Sequence, residues 1–284
     1  MVKKRRNIIV YILLLIVALS AVLIYEDKNV ELNTYEIFAE ILPEEFDGYR
    51  IAHVSDFHNA EFGNNKKLID MLKEANPDII AITGDIIDSR RTNIDISLAF
   101  VEEALKIAPC YYVTGNHEAR VSSEYAVLKE KMIQAGVIIL ENSSRLIECE
   151  GATIEVLGLE DPTFSVIGTT EEEAVVVAKN LEALSPSKDK FTLLLSHKPE
   201  FFDIYSGEDI ELVLSGHAHG GQFIIPFVGG LIAPGQGFFP ELDSGLFKKD
   251  GTSMVISRGI GNSIIPLRIN DRPEIILVEL NCEV

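Results

Sequence analysis

Cysteine is scarce in this chain of 284 residues. Cys110, Cys149 and Cys282 are the full set, and none lies in a CxxC pair. A disulfide framework is therefore excluded, and the three read as small buried apolar residues. Basic side chains are also short in supply: Lys plus Arg is 25 against 44 for Asp plus Glu, for a net charge of -19. Four of the basic residues, Lys3, Lys4, Arg5 and Arg6, sit in residues 1–25 with no acid beside them, so the remainder carries -23. A body that acidic lacks the basic face needed to bind bulk DNA or RNA. Phosphate chemistry stays open, because bound metal ions can supply positive charge locally. Internal repeats and low-complexity segments are absent. With 47% hydrophobic and 24% charged residues, the composition excludes a disordered tail, a collagen-like rod and a polytopic membrane protein.

Long hydrophobic runs are rare too, and the one at the N-terminus stands out. Residues 8–25 hold no charge, and only Ser20 and two tyrosines are polar. As a helix the run is about 27 Å long, close to the hydrocarbon thickness of a bilayer. The spacing predicts a transmembrane anchor over 1–25, with 26–48 as a connector leading into a domain at 49–284. A cleaved signal is the rival, with Ala18-Leu19-Ser20 as the cleavage site, but the apolar run continues five residues beyond it. Arg5-Arg6 matches a twin-arginine export signal only loosely. Basic residues before the run and Glu26, Asp27 and Glu31 after it predict a single-pass protein of the cell membrane, its N-terminus cytoplasmic and its body extracytoplasmic.

The body alternates strand and helix patterns. Nearly continuous β-branched runs at 49–55, 78–83, 110–114, 137–140, 154–157, 191–196 and 211–215 suit strands buried on both faces. Two more follow at 254–257 and 274–280. Helical stripes cover 66–75, 94–107, 122–135 and 171–184, the last opening on three glutamates where the helix dipole favours them. The strands are too many for one small sheet, so an α/β body with two packed sheets is expected.

Five short segments each follow directly on a predicted strand. They are Asp56-Phe57-His58, Gly84-Asp85, Gly115-Asn116-His117-Glu118, Ser196-His197 and Gly216-His217-Ala218-His219-Gly220-Gly221. Residues outside the carboxyl ends of such strands converge on a ligand crevice. Five of the six histidines lie in these segments, and the sixth, His53, is inside the first strand. Asp56 and His58 are two apart, as are His217 and His219, and in extended chain each pair points one way and can grip one ion. With Asp85, Asn116 and His197 added, the ligands outnumber the positions of one tetrahedral zinc. They suit two ions of the Mn, Fe or Zn kind bridged by a carboxylate. Each element alone has a plainer reading as a turn, a cap or a core histidine; the ordered set does not.

That ordered set, Asp56-x-His58, Gly84-Asp85, Gly115-Asn116-His117-Glu118, His197 and Gly216-His217-x-His219, resembles the calcineurin-like metallophosphoesterase superfamily across roughly residues 49–280. The run GHAHGGQ with the preceding SHKPE resembles its bacterial membrane-linked branch, related to UDP-2,3-diacylglucosamine pyrophosphatases. The resemblance implies a four-layer α/β/β/α sandwich with a two-metal site. One ion would be held by Asp56, His58, Asp85 and His219 and the other by Asp85, Asn116, His197 and His217, with Asp85 bridging. It also implies hydrolysis of a phosphoester or pyrophosphate bond by a metal-activated hydroxide, with His117 protonating the leaving oxygen or stabilising its charge. The substrate would be a phosphorylated small molecule or a lipid. Alternatives are a lipid-directed pyrophosphatase acting on a nucleotide–glycolipid and a catalytically silent metal-binding or scaffold protein. Glu118 reads as a helix-start residue and His53 as core. Arg258 and Arg268, near turns in the tail, are candidates for phosphate binding that read more simply as structural. Residues 223–240, with Phe223, Phe227, Phe238 and Phe239 among glycines, suit either a lipid-contacting flap or packing under a long loop.

Overall fold

The computed structural model describes residues 25–61, 65–262 and 267–283, with positions 7, 10, 11, 13, 14 and 17 besides. Most of the expected anchor over 8–25 therefore lies outside the described residues. Among those described, no helix is long and apolar enough to cross a membrane.

Two mixed six-stranded sheets form the centre. In chain order the first sheet takes β1 (Glu31–Ala39), β2 (Tyr49–Val54), β3 (Ile79–Thr83), β4 (Cys110–Val113), β5 (Ile138–Ile139) and β16 (Glu274–Cys282), arranged β1-β16-β2-β3-β4-β5. The second takes β6 (Ser143–Cys149), β7 (Ala152–Gly158), β8 (Thr192–Leu195), β9 (Leu212–Ser215), β14 (Gly245–Lys249) and β15 (Thr252–Ile256), arranged β14-β15-β9-β8-β7-β6. Parallel pairing runs through β2-β3-β4 and β7-β8-β9-β15. β16 runs antiparallel to β2 and parallel to β1.

Strand alternation sorts the side chains into three apolar cores. Ala52 and Val54 of β2 face the helices Lys66–Ala75, Ile94–Ala104 and Ser122–Ala135, which bury Leu68, Phe100 and Leu128. Ile51 of β2 points the other way, into the space between the sheets, where it meets Val156, Leu193 and Leu214. The outer face of the second sheet, with Leu194 and Val213, is covered by Val177 and Leu181 of helix Thr170–Leu184. Helix, sheet, sheet and helix are thus stacked, as a period-2 strand pattern with both faces apolar requires.

Several boundaries differ from the sequence reading. The 26–48 stretch carries β1, a nine-residue strand whose faces alternate between exposed and covered. Its polar sequence reads as connector because it is an edge strand and needs few apolar residues. β6 and β14 are likewise edge strands without a continuous apolar run. The second helix stops at Ala104 rather than residue 107. The three cysteines are free, Cys110 buried and the others half-buried.

Candidate metal centre

The chain leaves β2, β3, β4, β8 and β9 on one edge of the sandwich, and the five segments singled out by sequence meet there. Asp56, His58, Asp85, Asn116, His197, His217 and His219 are all buried. Five of these seven have left-handed backbone: Asp56 (φ 49), His58 (φ 48), Asp85 (φ 49), His217 (φ 65) and His219 (φ 48). Side chains with a Cβ adopt that region at a cost, and clusters of such residues mark sites whose geometry is imposed by the surroundings. The extended-chain argument for paired ligands is therefore corrected. His217 and His219 do not point one way: the turn after β9 sends them into different clusters. Gly216 is required there, since a Cβ would overlap Ser55 Oγ and the carboxylate of Asp56.

Among the described residues three groups of ligand atoms result, each gathered within 4.8 Å: Asp56 with His58 and His219, Asp85 with His197 and His217, and His58 and Asp85 with His117. Asp56 Oδ2 accepts from Ser55 Oγ (2.6 Å) and from His217 N (3.0 Å). Its Oδ1 is buried without a hydrogen bond, 3.2 Å from His219 Nε2 and 3.8 Å from His58 Nε2. Asp85 is divided the same way. Oδ1 accepts from His117 N (2.7 Å), while Oδ2 lies 3.2 Å from His197 Nε2 and 3.7 Å from His58 Nε2, between the first two groups. His197 donates Nδ1–H to Thr83 O (2.7 Å), which turns Nε2 to Asp85. Fixing the outer ring nitrogen on a backbone carbonyl is how ligating histidines are usually oriented. Lone pairs converge here with too few protons to separate them, and that is the demand a cation meets. Rotating the Asn116 amide by half a turn would let its nitrogen donate to Asp85 Oδ2 (3.3 Å) and His217 Nδ1 (3.0 Å). A cation among these acceptors reverses that preference, because it needs the oxygen inward. The residues present fit a pair of divalent ions.

The electrostatics agree. Burial opposes ionisation of Asp56, but His219 beside it holds its carboxyl well below the usual range. Asp85 is held low against the same burial by His197 and His117. Burial pushes the His58 imidazole down to about 3. It pushes His217 well down, helped by His197 and Lys198. For His197, Asp85 outweighs burial and raises the ring to about 10. Ionised carboxylates with mostly neutral imidazoles make the donor set of Mn, Fe or Zn.

His117 opens the short helix Asn116–Arg120. Ser89 N donates to its Nδ1 (3.0 Å), so Nε2 is the nitrogen that carries the proton. A ring nitrogen of His117 lies within 4.8 Å of ligand atoms of His58 and Asp85. Glu118 is fully buried and accepts from the backbone N–H of Asp85 (2.8 Å), Ile87 (3.1 Å) and Gly115 (2.7 Å), a structural cradle that holds the ligand loops. Burial and Asp85 push its carboxyl up to about 8. His53 is core, with Nε2 2.8 Å from Thr83 Oγ1.

The two tail arginines are committed elsewhere. Arg258 donates to Glu274 and Glu31 (2.8 and 3.1 Å), and the buried Arg268 donates to the carbonyls of Gly261 and Arg258 (2.5 and 2.9 Å). Other residues take their place beside the ligands, and the sequence reading passed over them. A cavity of about 340 Å³ is lined by Asn116, His217, Arg120, Lys198, Glu200 and Thr163. Lys198 is paired with Glu173 at 2.6 Å. Burial raises Glu200 to about 7. Arg120 lies two residues past Glu118, and Lys198 and Glu200 belong to SHKPE; that proximity was the available signal. On the other flank a cavity of about 380 Å³ is lined by His58, Asp88, Arg91, Asn262, Asp27 and Lys28.

Comparison with known proteins decides the family. The sequence pattern of the calcineurin-like phosphoesterases matches residues 49–221, from β2 to the turn that carries His217 and His219. The chain is a calcineurin-like phosphoesterase. As such it is a metal-dependent hydrolase of phosphoric esters, from a family that works with two metal ions. This phosphoesterase is 31% identical over 265 residues to the uncharacterized metallophosphoesterase YkuE of Bacillus subtilis (strain 168), covering 90% of this chain and 87% of that one. It is 27% identical to the phosphodiesterase YaeI of Escherichia coli (strain K12), with 82% of each chain covered. It is 30% identical to a transmembrane protein with metallophosphoesterase domain from Bos taurus, over 86% of this chain and 55% of that one. Among solved structures, TT1561 of Thermus thermophilus shares the fold, with a TM-score of 0.51 at 15% identity over 75% of this chain and 90% of that one.

Proposed function

We propose that this phosphoesterase cleaves a phosphodiester or related phosphoester at a two-metal centre, facing the outside of a cell membrane to which residues 1–25 anchor it. The observation that supports the two-metal reading most directly is Asp85 Oδ2, set between His197 Nε2 and His58 Nε2 at 3.2 and 3.7 Å. In this reading Asp56, His58, Asp85 and His219 hold one ion, Asp85, Asn116, His197 and His217 hold the other, and Asp85 is shared. When bound, such ions neutralise phosphoryl oxygens and lower the pKa of water enough to yield a hydroxide nucleophile near neutral pH. The chain supplies the rest. Arg120, at the cavity beside Asn116, receives the charge of the phosphoryl group or of the group beyond it. His117 presents Nε2–H to the leaving oxygen and stabilises its charge as the bond breaks.

The catalytic domain is 49–284, with 26–48 joining it to the anchor and contributing β1. The phosphodiesterase named among the relatives supports a diester substrate, and the relative named as a transmembrane protein supports the anchor. A pyrophosphate bond in a nucleotide–glycolipid, the substrate of the membrane-linked branch that the GHAHGGQ run resembles, asks the same chemistry of the same residues. Elemental analysis tests the metal assignment. Wild type is expected to hold about two ions, Asp85→Asn neither, and His58→Ala mainly one; a wild type with one ion or none overturns the two-metal reading.

A further inference from the structure

Two stretches of this chain run for eighteen residues without a charge, 8–25 and 223–240. The second follows the ligand turn and folds as two small hairpins. In the first, β10 (Ile224–Ile225) pairs with β11 (Gly229–Gly230); in the second, β12 (Ile232–Ala233) pairs with β13 (Gly237–Phe238). Ala233 is buried and Phe223, Ile224, Leu231 and Ile232 are half-buried, but the other phenylalanines and Val228 face outward. Phe227 is fully exposed, and Phe238, Val228 and Phe239 are 72%, 60% and 58% exposed. Phe227 and Phe239 also adopt left-handed backbone (φ 68 and 55), unusual for a bulky residue. The amide of Gln236 is turned back onto the main chain of Leu242. Such a flap has the composition of a segment that is covered, yet nothing in the described fold covers it.

Its link to Asp27, just past the first uncharged run, says what covers it. Ile224 N donates to Ile269 O (3.0 Å) and Asn270 Nδ2 to Ile224 O (3.2 Å), so the flap root is held by the 268–270 segment. Arg268 of that segment donates to Asn262 Oδ1 (3.2 Å), and Asn262 Nδ2 donates to Asp27 Oδ1 (2.7 Å). Asp27 lies two residues past the end of the N-terminal run. The flap and the residues just past the first run border the metal centre: Pro234 and Gly235 of the flap line the cavity with Asn116 and His217, and Asp27 and Lys28 line the cavity with His58.

We propose that the 223–240 flap is a membrane-contacting wedge that, together with the anchor, sets the mouth of the catalytic site against a lipid surface. The substrate class that follows is a phosphoester carried by a lipid at the membrane interface. The inference rests on the anchored reading above and deepens it. The surface it fits is zwitterionic or neutral, since a chain of net charge -19 is repelled by anionic lipid. Aromatic side chains at such a boundary bury their rings among acyl chains.

The chain contains no tryptophan, so one introduced tryptophan reports its own surroundings. The full chain, reconstituted in phosphatidylcholine vesicles with and without brominated acyl chains, is compared as Phe227→Trp, Phe238→Trp and Leu146→Trp. Leu146 is 57% exposed on β6, the edge of the second sheet opposite β14. Brominated lipid is expected to cut the emission of both flap tryptophans at least twofold and to leave that of Leu146→Trp unchanged. Flap tryptophans that stay unquenched in a chain that floats with the vesicles overturn the wedge and leave the anchor standing. A chain that does not float with the vesicles overturns the anchored reading and the wedge with it. Equal quenching at all three positions overturns the wedge as a specific surface. In a second measurement, Phe227→Ser with Phe238→Ser is expected to lower turnover of a long-chain acyl nitrophenyl phosphodiester in the vesicles at least tenfold. Turnover of soluble bis-nitrophenyl phosphate should be unchanged. Equal loss on the two substrates overturns the proposal, and neither fluorescence outcome depends on the phosphoesterase reading.

Discussion

The ligand turn and the flap are neighbours in sequence and opposites in chemistry. From Gly216 to Gly221 the chain buries two histidines against two carboxylates. From residue 223 to 240 it carries no charge and holds phenylalanines in solvent. Each segment breaks the ordinary partition of polar outside and apolar inside, and each breach points to a missing partner. Buried lone pairs without protons ask for a cation, and exposed rings ask for an apolar surface. The difference is in where the side chains go. The turn is fixed by backbone hydrogen bonds and by Ala218 in a core, whereas the flap is tied to the body through Ile224, Gly230, Ala233 and Gln236 and still leaves the rings of Phe227, Phe238 and Phe239 outside.

The comparison breaks first at His117. If the buried centre is chemical and not merely structural, His117→Ala keeps its metal content and loses about 10²–10⁴-fold in activity. The loss should be greater on an alkyl leaving group, which needs its oxygen stabilised, than on nitrophenolate. Metal loss in the variant makes His117 a ligand; equal loss on both substrates with metals intact leaves only a positioning role. Next, a buried and an exposed phenylalanine should part company in stability. Phe57 is fully buried and stacked on Phe100 with ring centroids 4.6 Å apart. Phe57→Ala should cost about 3–5 kcal/mol in denaturant unfolding.

A pH series sharpens the account of the buried side. Burial lowers the His53 imidazole to about 3, below its unfolded value. The unfolded chain then binds more protons than the native one as pH falls through about 6.5, so stability drops progressively from about pH 6.5 towards 3. His53→Gln should flatten that part of the profile relative to wild type; an unchanged slope rules His53 out as its source. The smallest effect belongs to the flap: Phe238→Ser should change stability by less than about 0.5 kcal/mol, because the ring touches little of the fold. A larger loss in detergent-free solution means that Phe238 packs on the body and the comparison fails.

Both sheets were legible where strands are buried on both faces, because β2, β3, β4, β8 and β9 are short apolar runs that end in polar ligands. Edge strands were not. β1 reads as connector and β6 as loop because their exposed faces dilute the apolar signal to alternation among Glu, Asn, Ser and Arg. The candidate ligands were legible as a set and not singly, since Asp, Asn and His at five strand ends together fit a metal site better than five separate turns or caps. Spacing alone did not show how they divide, because left-handed backbone at Asp56, His58, His217 and His219 leaves no mark in it; the family resemblance did, by assigning His217 and His219 to different ions. Lys198 and Glu200 were invisible as cavity residues, their position set by a turn that residue type alone does not announce. Arg258 and Arg268 read more simply as structural in sequence and are so in the fold, but their partners Glu31 and Gly261 come from distant or loop backbone positions that residue type does not disclose.

The pairing of β1 with β16 has a consequence for assembly. Nine consecutive residues, from Glu31 against Glu274 to Ala39 against Cys282, join the first strand of the body to the last. β16 also separates β1 from β2, pairing with each on one side. The first sheet is thus zipped shut by a strand made long after β1 and β2. Until that strand arrives, β1 and β2 each present an unpaired edge, open to wrong partners in the way that sequence-distant strands always are. The late strand must slot between two earlier ones, so this side of the sheet is completed from its middle and not from its rim.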